Sequence, residues 1–341
     1  ITFYVLRQWG FLKYLSIEKG LAEFANDEIT HNVEFGLHPV VIAGHLRMGY
    51  ELPVSTAKIN KAIRGGELGK TFSFSDDDRT RNELVSSKQI LRNACCLAEG
   101  DSVLTVANVA KIEASDIDID LARLRSRPFA MVECKRVGVE EGARKGPTTI
   151  EKAKQGAYVA KHVSALQKIR DRDGTMYGAM PQSDGSFEIR ELFAEIRRLV
   201  YNGTVEELEG FILTVGVVSN HGNWFTATDP NKELRVLKQS YDWLLFLTDA
   251  AIAEFVSETI LSPSREMSPV KDAFKASYST DRRGANQFTK VRISLDAHYA
   301  LSAYFERNIA DIEARWFNVL APGAGTIEEL KKQLLALATR L

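Results

Sequence analysis

Apolar residues between positions 1 and 70 recur mostly at helical spacing, in the stretches "FLKYLSIEKGLAEFAND" and "HPVVIAGHLRMGYELPVSTAKINKAIRGG". The second stretch predicts a helix to about Arg47, a turn from Gly49 to Pro53 and a further helix from Ser55, before Gly65, Gly66 and Gly69 break the chain. Leu84, Ile90, Leu91, Ala94 and Leu97 keep the same period and predict a helix over 79–98, stopped by Gly100. The period then changes. Val103 to Ile112 is rich in β-branched residues, Asp116 to Leu124 alternates strictly, and "FAMVECKRV" runs from Phe129 to Val137, so three strands with short connections predict an antiparallel meander. Pro147 opens the amphipathic helix "TIEKAKQGAYVAKHVSALQKIRDR". A helix over 187–201 sits in an insertion at about 174–209, and "GFILTVGVVSN" reads as a strand buried on both sides. Helices over 231–260, 294–316 and 327–341 complete the pattern.

This order predicts an α/β protein of the α+β type. A mixed-sheet core at 71–262 is flanked by a helical N-terminal region at 1–70 and a helical C-terminal region at 263–341. Composition changes little in that picture: 341 residues, 45% hydrophobic and 26% charged, are ordinary globular values. No apolar run approaches the roughly 20 residues of a membrane helix. Cys95, Cys96 and Cys134 match neither a disulfide framework nor a zinc site, which fits a reducing, cytoplasmic setting. The chain begins at Ile1 rather than Met, so a targeting segment is not judged from it.

Charge does change the picture. The formal net charge is -1, yet Ala143 to Arg172 is strongly basic and suits contact with phosphates as well as it suits a solvated helix face. Just before it stands "SDIDIDLARLRSRPFAMVECKR". In strands, Asp116, Asp118 and Asp120 share one face, as do Glu133 and Lys135, with Cys134 opposite. A hairpin through Arg125 to Pro128 would bring an aspartate beside Glu133. Close carboxylates repel unless a cation sits between them, and Mg²⁺ takes such oxygen ligands, the Cys134 carbonyl among them. A neighbouring Lys135 orients attacking water and offsets charge that builds on phosphorus. The triplet alone is weak, since about three acid-x-Lys triplets arise by chance at this composition. Glu329-Leu330-Lys331, in the predicted C-terminal helix, is a second one and reads as surface decoration.

The element order and the Asp…Glu-x-Lys pattern resemble the PD-(D/E)xK nuclease superfamily, and within it the type II restriction endonucleases. The likeness covers about 79–260. No proline precedes the aspartates, which leaves Asp120, favoured, and Asp118 both open as the ligand. The resemblance implies a helix, three-strand meander, helix and strand as the core. It further implies a Mg²⁺-dependent endonuclease acting on double-stranded DNA as a homodimer, with a cognate methyltransferase as a possible partner in the same system. The metal ligands would be Asp120 or Asp118, Glu133 and the Cys134 carbonyl, with Lys135 catalytic. Gln155 matches the glutamine that relatives aim at the site, and Tyr158 their tyrosine at the DNA backbone.

Lys152 and Lys154 are candidate phosphate contacts. Arg282, Arg283, Asn286, Gln287 and Lys290 in "DRRGANQFTKVR" have the chemistry of base readout, Arg to guanine and Asn or Gln to adenine. Glu83 and Glu99 are candidates for an extra carboxylate, and His221 in "SNHGNWF" for a base contact. The helix pair around Gly49 suits packing as well as DNA reading. Three other functions stay open: another nuclease of the same superfamily, of the repair or phage type; a metal-dependent nucleotidyltransferase using "SDIDIDL" as its paired aspartates; and a non-catalytic DNA-binding protein whose charges are a wet sheet edge.

Overall fold

The computed structural model describes residues 1–17, 33–138, 163–182, 184–221, 232–277 and 293–341. It is a mixed α+β structure whose chain divides into two units, each discontinuous in sequence. One consists of Ile1–Ile17, His38–Arg127 and Ala253–Ile309, the other of Glu18–Leu37, Pro128–Ile252 and Ala310–Leu341. These units cut across the expected boundaries at 70 and 262. Residues 38–127 form an insertion between two strands of the second unit rather than the start of its core.

In the first unit, the strand β1 (Leu15–Ile17) follows a short helix, Thr2–Gln8. β2 (Val33–Leu37) belongs to the second unit, and the chain then returns to the first with β3 (Val40–Gly49), β4 (Val54–Ser55), β5 (Glu83–Val85), β6 (Cys95–Glu99), β7 (Val103–Glu113) and β8 (Asp116–Arg125). An antiparallel sheet runs β3-β8-β7-β6. The predicted strands β7 and β8 are there. Two predicted helices are not: "VVIAGHLRMG" is β3, and the 79–98 segment holds β5 and β6. Apolar residues at helical spacing lost to sheet pairing because both stretches carry short strand-compatible runs that β8 and β7 can extend.

Helix Thr56–Gly65 starts as expected, its first turn capped by the Ser55 hydroxyl accepting from the Lys58 amide at 3.3 Å. Its Ile59 and Ile63 pack with Phe72 on Leu46, Ile117, Ile119 and Leu121 of the sheet. Gly44 makes room for this, because a Cβ there would lie 2.6 Å from the Phe72 ring.

In the second unit, β2 is followed in sheet order by β9 (Ala130–Gly138), β13 (Leu213–His221), β14 (Trp243–Leu247) and β15 (Phe317–Ala321). β9, β13 and β14 are mutually parallel, and β2 and β15 run antiparallel to their neighbours. The sheet is therefore mixed. Its parallel centre explains the apolar runs "FILTVGVV" and "WLLFL", since such strands are buried on both faces. The predicted helix over 231–260 is accordingly a helix at Lys232–Ser240, then β14, then a helix at Asp249–Val256.

A separate antiparallel sheet of β10 (Gln167–Arg170), β11 (Met176–Pro181) and β12 (Phe187–Glu191) takes the end of the basic segment expected to be helical. Helices Leu192–Asn202, Val205–Gly210 and Ile327–Arg340 also belong to this unit. The last was predicted, and its Lys331 pairs with Glu313 at 3.0 Å. No helix among the described residues is long and apolar enough to cross a membrane.

Candidate functional site

The expected β8–β9 hairpin does not form. β8 pairs with β3 and β7, whereas β9 pairs with β2 and β13, so the two halves of "SDIDIDLARLRSRPFAMVECKR" lie in different sheets. Asp118 and Asp120 are therefore not cross-strand neighbours of Glu133. Both aspartates instead meet β3. His45 Nδ1 lies 3.1 Å from Asp120 Oδ1, and Arg47 reaches Glu113 at 3.0 Å and Asp116 at 3.3 Å. Asp118 is 3.6 Å from His45 Nε2 and 3.8 Å from Arg47. Cross-strand pairs of opposite charge on a wet sheet face account for the alternation that made this stretch conspicuous. Glu83 and Glu99, expected near a helix, are exposed strand residues of the same unit.

β9 is different. Glu133 and Lys135 share a face with Met131, as the strand period requires, and are 7% and 6% exposed. Lys135 Nζ sits 3.2 Å from Glu133 Oε1. That ammonium is buried and, among the described residues, makes no hydrogen bond of good geometry beside this ion pair. Cys134 lies on the opposite face and is half-buried.

The register of β2 supplies what the sequence reading missed. Glu34 is directly opposite Glu133, and Val33 opposite Cys134. Directly opposed residues of an antiparallel pair project to one side with Cβ atoms about 5 Å apart, where two like charges destabilise the pair unless something compensates them. The signal in the sequence was a charged residue inside a short apolar strand, "VEFGL", but nothing local ties it to a residue almost a hundred positions later.

On the other flank, Gly216 of β13 is aligned with Glu133. A Cβ at that position would be 2.9 Å from the Tyr241 ring and 2.9 Å from Leu244, so the absence of a side chain lets the ring lie over the strand. The Tyr241 hydroxyl donates a hydrogen bond to Glu133 Oε2. Burial, then the negative charges of Glu133 and Glu34, push this phenol well above its ordinary pKa, which keeps the proton available for donation. Tyr241 is held in turn by its neighbour. Asp242 Oδ2 accepts from the Thr214 amide and hydroxyl, both at 2.8 Å, and its Oδ1 is 2.9 Å from Lys168 Nζ. Lys168, part of the basic segment read as a phosphate face, is thus committed to a buried ion pair.

The face presents two opposed carboxylates, a lysine and a phenol. Oxygen donors of this kind suit a hard divalent ion, which binds through one or two carboxylates and completes its shell with water or phosphate oxygens. Among the described residues, no group of three or more His, Cys, Asp or Glu side chains is arranged to hold a metal on its own. Gln155, Lys152, Lys154, Tyr158, Arg282, Arg283, Asn286, Gln287 and Lys290 lie outside the described residues. His221 ends β13. No protein-family model, curated protein or solved structure matches the chain.

Proposed function

We propose that the chain is a Mg²⁺-dependent endonuclease that hydrolyses phosphodiester bonds of double-stranded DNA at specific sites, in the manner of a type II restriction enzyme working as a homodimer. The observation that carries the reading is the row Glu34–Glu133 across β2 and β9, with Lys135 two residues along on the same face. This is the acid-plus-Glu-x-Lys pattern of the PD-(D/E)xK nucleases, with Glu34 in the place first expected of Asp120 or Asp118. β9 between an antiparallel and a parallel neighbour also suits such a core.

Each residue has a distinct task. Glu34, Glu133 and the Cys134 carbonyl would hold the ion, which when bound polarises the phosphoryl oxygens and makes water a better nucleophile at neutral pH. Tyr241 fixes the orientation of Glu133 by donating to Oε2, leaving Oε1 for the ion and for Lys135. The Lys135 ammonium orients the attacking water and offsets charge on the phosphorus as the fifth bond forms.

The test is digestion of a DNA of known sequence by the full chain, with Mg²⁺ and with EDTA, followed by sequencing of the fragment ends. Discrete ends that require Mg²⁺ are expected. Glu133→Gln, Lys135→Ala and Glu34→Gln should each lower the cleavage rate by about a hundredfold or more. Cleavage that survives Glu133→Gln or Lys135→Ala would sink the assignment. Loss in those two with full activity in Glu34→Gln would remove Glu34 alone.

A further inference from the structure

A cavity of about 330 Å³ opens within the second unit, between the β10–β11 hairpin, the start of helix Leu192–Asn202 and the end of helix Lys232–Ser240. Its walls are mainly apolar, from Met176, Leu192, Phe193 and Ile196. Two cations, Arg170 and Lys238, also line it. Neither has an ion-pair partner among the described residues, whereas of the two carboxylates at the cavity Asp242 is ion-paired and Glu191 only caps a helix, so two unpaired cations face one unpaired carboxylate and the lining is net positive. Glu191 accepts from the Ala194 amide at 2.8 Å, and Asp242 is paired with Lys168 at 2.9 Å. Arg170 is further held by its own turn. Gly174, at φ +91°, has no side chain to displace the guanidinium, whose Nη2 a Cβ there would approach to 3.3 Å.

Unpaired positive charge at one side of an apolar cavity selects an anion with an apolar body. The volume, near the lower end for ligand sites, fits one small unit. Gln239 adds a side-chain amide that can both donate and accept, as the edge of a heterocycle requires. We propose that this cavity binds a single nucleotide unit, its phosphate between Arg170 and Lys238 and its base against Phe193 with an edge toward Gln239. The unit can come from a free mononucleotide or from a DNA strand with one base turned out of the stack. Tyr241 lines the same cavity while its hydroxyl holds Glu133, so occupancy bears on the carboxylate face; that consequence, unlike the binding, rests on the nuclease reading.

The experiment is calorimetric titration of the full chain in EDTA, where no cleavage is read, with each deoxynucleoside 5′-monophosphate, with inorganic phosphate and with each deoxynucleoside. At least one monophosphate should bind saturably and about tenfold or more tighter than either half alone. Arg170→Ala and Lys238→Ala remove side chains that hold no ion pair among the described residues; each variant should unfold in urea like the parent and weaken binding about tenfold. Because binding is read in EDTA, where cleavage plays no part, a failure to bind and a failure to cleave are told apart. A single-stranded trinucleotide that binds more tightly than the monophosphate identifies DNA as the source, and one that binds more weakly identifies the free nucleotide. Absence of saturable binding by monophosphates and trinucleotide alike, or binding indifferent to both substitutions, overturns the proposal.

Discussion

β8 and β9 follow one another in the chain, alternate charged with apolar residues, and differ in almost everything that decides what a charge does. On β8, Asp120 and its partner His45 have side chains more than half exposed, Asp116 is partly exposed beside Arg47, and only Asp118, at 15%, is largely withdrawn from solvent. On β9, Glu133 and Lys135 are buried in the row of a mainly apolar central strand, with Glu34 opposite and the Tyr241 hydroxyl bonded to the carboxylate. Water screens the first set and makes each pair nearly free to keep or lose. Taking the second set out of water carries a desolvation penalty that excellent geometry only partly offsets. Burial alone does not single the pair out, since Lys168 and Asp242 are more buried still; what marks β9 is a second carboxylate, Glu34, directly opposite Glu133, with Lys135 on the same face.

The largest expected effect breaks the buried pair. Lys135→Met leaves Glu133 in the sheet without its cation and should cost about 3–5 kcal/mol in urea unfolding, most of it recovered in the Lys135→Met, Glu133→Gln double variant. A loss below about 1 kcal/mol would place the pair energetically with β8.

The next effect is a pH dependence in the other unit. His38 is buried, its Nδ1 donating to the Arg125 carbonyl at 2.8 Å and its Nε2 accepting from the Ser16 hydroxyl at 2.7 Å. Burial, outweighing the backbone hydrogen bonds, pulls its pKa down from 6.5 to about 4. Between those values the unfolded chain takes up a proton that the folded ring does not. Stability should therefore fall as pH drops from 6.5 toward 4, by at most about 3 kcal/mol, and His38→Gln should flatten that slope. An unchanged slope would assign the acid sensitivity elsewhere, His298 being the next buried histidine, with a pKa lowered to about 3 mainly by burial.

Gly216→Ala comes third. The added methyl meets Tyr241 and Leu244 at 2.9 Å, so about 1–3 kcal/mol should be lost, together with activity, because the ring that positions Glu133 must move. Normal cleavage by a destabilised Gly216→Ala would separate Tyr241 from the chemistry. The smallest effect sharpens the comparison from the exposed side: Asp120→Asn should change stability by about 0.5 kcal/mol or less and leave cleavage within about twofold. A large loss of cleavage there would return Asp120 to the site.

Much of the local structure was legible in the sequence because local rules governed it. Ser55 before Ile59 and Ile63 marked a helix start, the β-branched run of β7 marked a strand, and the unbroken apolar run of β13 marked a strand buried on both faces. Errors came where short apolar runs fit two periods. "WLLFL" and "VVIAGHLRMG" pass for helix until a neighbouring strand takes their backbone groups. The site divides the same way. That Glu133 and Lys135 share a face follows from the two-residue period of any strand, so the sequence by itself determined it. Which acid stands across from Glu133 depended on strand order. Residues 38–127 intervene between β2 and β9, and the pairing of two strands so far apart is set by burial of their common faces and by backbone hydrogen bonds, neither of which leaves a mark at Glu34 itself. Only the tertiary structure therefore set Glu34, rather than Asp118 or Asp120, across from Glu133, and only it brought Gly216 and Tyr241 to the other side of the same carboxylate.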